Sequence, residues 1–271
     1  GSEMCIRDST YTGTGTSGTI SGLGFQPDLI WAKRRDGSRR HYLVDSSRGF
    51  TKYLHPEGTY TEGTSSTGVT SATSDGFALG GGLDYVNAST HTYVAWCWRC
   101  NGGTTSTNTD GALASTVQAN QALGFSISLY TSNGTGQSFG HGLGAVPKMI
   151  IVKNLADSTN WNVYHQGVGN DGSLYLNSTQ GKETYQPFWN NTTPTSSVFT
   201  VGSDGATNGS GDNMIAYCFA SIAGVCKVGV YEGDSLIDGP YVPLGFTPAA
   251  IIWKNIDATT QWPIVDNTNN T

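Results

Sequence analysis

Short apolar runs bounded by glycine, proline and asparagine recur along the chain, and that pattern predicts strands rather than helices. DLIWAK (28–33), MIIVK (149–153) and AIIWK (250–254) are β-branched or aromatic, and each lies just after a proline. YVAWCW (93–98) carries two apolar sets, Val94, Trp96 and Trp98 on one face and Tyr93, Ala95 and Cys97 on the other. A strand apolar on both faces is covered on both sides, as in a sandwich or a sheet packed within a larger body.

The runs belong to a repeat. Tyr11 to Lys33, Tyr130 to Lys153 and Tyr231 to Lys254 each read as tyrosine, a glycine-rich turn, glycine, proline, an apolar run and lysine. From the proline onward the copies align without a gap, Pro27 to Asp45, Pro147 to His165 and Pro248 to Asp266. Lys33, Lys153 and Lys254 coincide, as do His41, Trp161 and Trp262. GFALG (76–80) then matches VFTVG (198–202), and YVAWCW matches MIAYCF (214–219), elements the third copy does not reach. Self-similarity of this kind is the mark of a tandem architecture.

The predicted fold is therefore all-β: tandem antiparallel β-sandwich domains with a truncated third repeat. Residues 1–8 match nothing downstream, begin with a Gly-Ser that looks like an expression scar, and are expected to be a non-structural leader. Repeat one is expected over 9–100, a linker and hairpin over 101–124, and repeat two over 125–225. A partial repeat over 226–271 should pack on repeat two, because a half-repeat cannot bury its own apolar face.

Composition supports this reading. Gly, Thr, Ser and Asn make up 116 of the 271 residues while charged residues reach only 13%, which disfavours long helices. Aromatics at 11% still provide a core. A net charge of −6 gives no general pull toward nucleic acid or anionic membrane, and no apolar run is long enough to span a bilayer as a helix. Five cysteines, Cys5, Cys97, Cys100, Cys218 and Cys226, are odd in number and too few for a disulfide scaffold, so mostly reduced thiols are expected.

Candidate chemistry is sparse. The five glutamates, Glu3, Glu57, Glu62, Glu183 and Glu232, have no counterparts between copies and no paired carboxylate at strand spacing, which argues against a glycosidase. GQSFG (136–140) with His141 formally matches a nucleophile elbow, but it falls on the glycine-rich turn of the repeat. Cys97 and Cys100 on a strand point to opposite faces and cannot share a metal without a bend. DGATNGSGDN (204–213) carries the oxygens of a calcium loop without a full ligand set, so Asx turns account for it equally and no cofactor is assigned.

Two features could bind a ligand. Lys33, Arg34, Arg35, Arg39 and Arg40 are five of the fourteen basic residues and surround an Asp36-Gly37 turn. Such a tip suits a sulfated, phosphorylated or carboxylated glycan, or is a solvated turn. His41, Trp161 and Trp262 could stack on sugar rings or anchor the core.

The succession GLGFQPDLIWAKRRDGS, LVDSSRG, SDGFALG, YVAWCWRCNGG, GHGLGAVPKMIIVK and IAYCF resembles the repeated β-domains of predicted tail and tail-fibre-type virion proteins of tailed phages, notably marine ones. The resemblance implies a structural, receptor-facing role on a lectin-like or jelly-roll-like sandwich, with no catalytic residues. The expected protein is a non-enzymatic virion module, assembled in the host cytoplasm, with a homo-oligomer among its expected assemblies. Its expected partners are host-surface glycans or other virion proteins, not nucleic acid or membrane. A secreted bacterial carbohydrate-binding module or adhesin is the alternative, and a glycan-active enzyme the third reading.

Overall fold

The computed structural model describes residues 6–267, and the chain is an all-β protein of several antiparallel sheets. The first third forms β1 (Ile6–Thr12), β2 (Gly18–Ser21), β3 (Leu29–Arg34), β4 (Tyr42–Asp45), β5 (Lys52–Leu54), β6 (Gly63–Thr64), β7 (Val69–Thr73), β8 (Gly76–Leu79) and β9 (Thr92–Trp98). The middle forms β10 (Ser106–Asn108), β11 (Ser115–Asn120), β12 (Phe125–Thr131), β13 (Gln137–Gly140), β14 (Met149–Asn154), β15 (Asn162–His165), β16 (Gly172–Tyr175), β17 (Glu183–Thr184), β18 (Val198–Val201), the single-turn α1 (Gly205–Asn208) and β19 (Asn213–Phe219). Beyond them lie β20 (Ala250–Ile252) and β21 (Ile264–Asp266).

The repeat seen in the sequence is a repeat of topology. One large sheet runs β1-β9-β3-β4-β5-β6, and the other contains the same series as β12-β19-β14-β15-β16-β17, extended by β10 and β11. Each carries a small companion sheet, β2-β8-β7 and β13-β18. The third copy supplies the hairpin β20-β21, equivalent to β3-β4 and β14-β15. Gly24, Gly144 and Gly245, at one repeat position, all adopt positive φ (75°, 67° and 82°). That left-handed turn strains a side chain, so the chain reverses into the strand after the proline on glycine in every copy.

Strand alternation splits the large sheets between two kinds of core. In the first, Ile30, Ala32, Tyr42, Val44, Ala95 and Cys97 pack with Phe77 and Leu79 of the companion sheet. In the second, Ile150, Val152, Tyr164, Ala216 and Cys218 pack with Phe139, Phe199 and Val201. The opposite faces meet each other: Leu29, Trp31, Leu43, Val94, Trp96 and Trp98 form one cluster with Ile127, Ile151, Trp161, Val163, Ile215, Tyr217 and Phe219. Both faces of YVAWCW are thus buried, and each fully covered apolar side chain contributes about 1.5–3 kcal/mol. The repeats share a core.

Some expected boundaries shift. Residues 6–8, expected in the leader, pair through β1 with Trp98, Cys97 and Trp96 of β9, while residues 1–5, with Cys5, lie outside the described residues. The segment over 101–124, expected as linker and hairpin, holds β10, which pairs with β11 at the edge of the second large sheet. β11, also within 101–124, pairs antiparallel with β12 of repeat two. The third copy leans on repeat two, where Trp262 Nε1 donates to the Tyr175 carbonyl (3.0 Å). It also touches repeat one, where Trp96 Nε1 donates to Asp266 (2.9 Å).

Candidate functional site

The charged tip is the turn between β3 and β4. Most of its cations are paired within the protein. Arg34 donates through Nε to Asp36 (2.8 Å) and through Nη1 to Asp84 (2.7 Å), and its Nη2 lies 2.6 Å from His91 Nδ1. Arg39 bonds the other oxygen of Asp84. The Arg34 hydrogen bond, helped by His91 and the Thr92 amide, holds the Asp36 carboxyl far below the usual range. Against the desolvation that would raise it, Arg39 and Arg34 hold Asp84 low as well.

Lys33 Nζ caps the carbonyls of Arg34 (2.6 Å) and Gly37 (3.3 Å), and burial pushes its pKa down. His41 accepts the Trp31 indole N–H on Nδ1 (2.8 Å), and burial, with Lys33 and His55 nearby, lowers its pKa to about 4. At neutral pH it adds no charge to the tip. What faces solvent is Arg35, Arg39 and Arg40, with the Arg40 guanidinium 3.8 Å from the centre of the Tyr60 ring. Tyr60 is 44% exposed, so the Arg40–Tyr60 cation–π pair is presented at the surface beside two further arginines.

The other aromatic candidates do not face solvent at the tip. Trp161 is fully buried, and its Nε1 donates to the carbonyls of His55 and Gly58 (both 3.2 Å). No sugar can reach it; it is a core anchor between repeats. Trp262 is half-buried against the shared core with its N–H spent on Tyr175. The structure therefore brings Arg34, Arg35, Arg39, Arg40 and His41 together, buries Trp161 behind them on the His55 and Gly58 carbonyls, and places Trp262 at the contact between copies two and three. Tyr60, Asp84 and His91 join the site from distant loops, and only the unbalanced charge of the 33–40 segment pointed to acidic partners elsewhere.

Ser138 lies on β13, where its hydroxyl accepts the Ala112 amide (3.0 Å). His141 is buried, with Nε2 near the Thr195 carbonyl and Nδ1 accepting the Leu143 amide (both 3.2 Å). Cys97 sits in the repeat-one core and Cys100 in the shared core. In the 204–213 loop Asp204 caps α1, Asn208 binds the Gly202 carbonyl and Asp212 accepts from Asn154 (2.8 Å). Among the described residues no group of three His, Cys, Asp or Glu side chains is placed to hold a metal ion, and no helix is long and apolar enough to cross a membrane.

Fold and site together define an all-β protein of repeated antiparallel sheets carrying one cationic-aromatic tip. The chain belongs to the family described as domain of unknown function DUF7483, whose match spans residues 3–271. No curated protein and no solved structure matches it.

Proposed function

We propose that the protein is a non-enzymatic virion module of the tail or tail-fibre type, whose tandem lectin-like or jelly-roll-like sandwiches hold the Arg35, Arg39, Arg40 and Tyr60 tip toward anionic host-surface glycans. One observation carries the reading: the β3–β4 tip exposes three arginines and an aromatic ring, whereas the equivalent turns of copies two and three are neutral. Arginine forks match sulfate and carboxylate geometry, and a stacked ring adds a face for the sugar. Single sites of this kind bind weakly, so strength would come from several copies in one particle. The rigid shared core suits the role because it fixes the direction in which the tip points.

A screen of sulfated, phosphorylated and carboxylated glycans and of whole cells tests this, using the chain beside Arg35→Ala/Arg39→Ala/Arg40→Ala. Saturable binding is expected to fall at least tenfold in the variant and to weaken with salt. Binding unchanged in the variant, or absent from folded protein, overturns it.

A further inference from the structure

The contacts between copies repeat residue for residue. Trp161 of copy two donates to the His55 carbonyl of copy one, and Trp262 of copy three donates to Tyr175, the residue of copy two aligned with His55. Lys153 Nζ donates to the Thr59 carbonyl (3.3 Å), and Lys254 Nζ to the aligned Thr179 carbonyl (3.2 Å). The Glu62 amide donates to Leu155 (3.1 Å), and the aligned Lys182 amide to Ile256 (2.8 Å). Copy three therefore sits on copy two as copy two sits on copy one.

A second set of contacts closes the series. Tyr217 of β19 donates its hydroxyl to Asp45 of copy one (2.8 Å). The residue aligned with Tyr217 is Trp96 of β9, and it donates to Asp266, the residue of copy three aligned with Asp45. The closing strand of copy two thus reaches back to copy one, and that of copy one reaches copy three. A stack that merely advanced would not bring copy one against copy three; a threefold ring does. By the same rule a third closing strand would aim its aromatic donor at His165, which aligns with Asp45 and Asp266.

In the ring β20 occupies the place of β3 and β14, each of which is paired on its other edge by β9 or β19. Among the described residues β20 pairs only with β21. The Trp253 amide donates toward Pro263 of β21 (3.3 Å), so alternation turns the Ala250 and Ile252 backbone groups to the opposite edge. CKVGVY (226–231), aligned with β12, is not a strand, and Val230 (62%) and Tyr231 (53%) are exposed. In copies one and two this segment lies on the far side of the closing strand.

We propose that the β20 edge is a strand-accepting site whose occupant is a third closing strand of this repeat type, a version of β9 and β19. It would seat antiparallel between β20 and residues 226–231 and complete the ring. Both flanking edges would then satisfy backbone groups through one added strand, which is how sheet edges take peptide partners.

The test titrates the whole chain with peptides of residues 91–101 and 212–221, each beside a scrambled control. One-to-one saturable binding is expected, with amide-exchange protection appearing at Ala250, Ile252, Lys227 and residues 229–231, the Val228 amide being already bonded to Ser221 (3.0 Å), and a shift of the His165 imidazole resonances. Ile252→Pro, which removes one outward donor and leaves the β21 side intact, should weaken binding at least tenfold without changing Tm. A 212–221 peptide carrying Tyr217→Phe should bind while leaving His165 unshifted, which keeps the assignment testable if the proline variant misfolds. Peptides that do not bind, that bind Ile252→Pro equally, or a peptide-free chain that dimerises with β20 already protected would overturn the proposal.

Discussion

Lys153 is a fully buried lysine whose ammonium is held by carbonyls, those of Thr59, Asp157 (3.0 Å) and Thr159 (3.1 Å). It ties the second hairpin to repeat one, and burial lowers its pKa to about 8 against an ordinary 10.5. Between these values the unfolded chain keeps a proton that the folded chain has released, so this residue's contribution to stability rises with pH. The buried thiols act oppositely. Burial raises Cys97 and Cys100 strongly and Cys218 to about 12, so they cost stability as pH climbs past the ordinary thiol range. Only a difference isolates the lysine. The Tm of the unsubstituted chain minus that of Lys153→Met should increase from pH 7 to pH 9.5, and a difference that is flat or falls would show that the folded chain keeps Lys153 charged across that range. The alignment of Lys33, Lys153 and Lys254 was visible in the sequence, but each is held by carbonyls of its own hairpin turn, joined for Lys153 and Lys254 by one carbonyl of the neighbouring copy, Thr59 and Thr179, and backbone carbonyls carry no side-chain signature.

At the scale of elements, the segment between β9 and β11 looks in sequence like a flexible polar linker, yet it is tethered. Asp28, fully buried at the start of β3, accepts the amides of Cys100 (2.6 Å), Gly102 (3.0 Å) and Gly103 (2.8 Å) and the Ser46 hydroxyl (2.7 Å). Gln118 of β11 accepts from Asn101 (3.1 Å) and Gly103 (2.8 Å). These bonds lock the exit of repeat one onto the edge of repeat two. Asp28→Ala strands buried amides and should cost about 3 kcal/mol, read as a lower urea midpoint at unchanged m-value; a loss under about 0.5 kcal/mol would mean water replaces the carboxylate. The strands themselves were legible because apolar alternation, proline and left-handed glycines recur in each copy. Asp28 was not, since Lys148 and Ala249 stand at its aligned positions and its partners are backbone amides. The tip was half legible: its arginines lie close together in sequence, as pairs on either side of Asp36-Gly37-Ser38, while Asp84, His91 and Tyr60 arrive only through folding.

For the whole molecule, tandem repeats usually suggest domains that fold one by one, and the shared core argues otherwise. The face of repeat one carrying Leu29, Trp31, Val94, Trp96 and Trp98 packs, among the described residues, in one cluster with repeat two and with the third copy's Val228, Ile256, Trp262 and Ile264. Removing either large sheet would expose a contiguous apolar surface, and Trp161 would lose the backbone carbonyls that hold its indole. Separating the units would also leave Asp45, buried with Arg48 (2.7 Å) and hydrogen-bonded by Tyr217, without its phenol partner. Repeats one and two should therefore unfold together, as one calorimetric transition with matching calorimetric and van't Hoff enthalpies. A fragment of residues 6–108 should be aggregation-prone or bind a hydrophobic dye, because half of its two-faced sheet would meet water. Two resolved transitions, or a monomeric fragment with native-like tryptophan burial, would show that the repeats are independent and that the common cluster only docks preformed units. A single transition would make the rigidity of the tip a property of all the packed copies together, since no repeat could loosen without its neighbours.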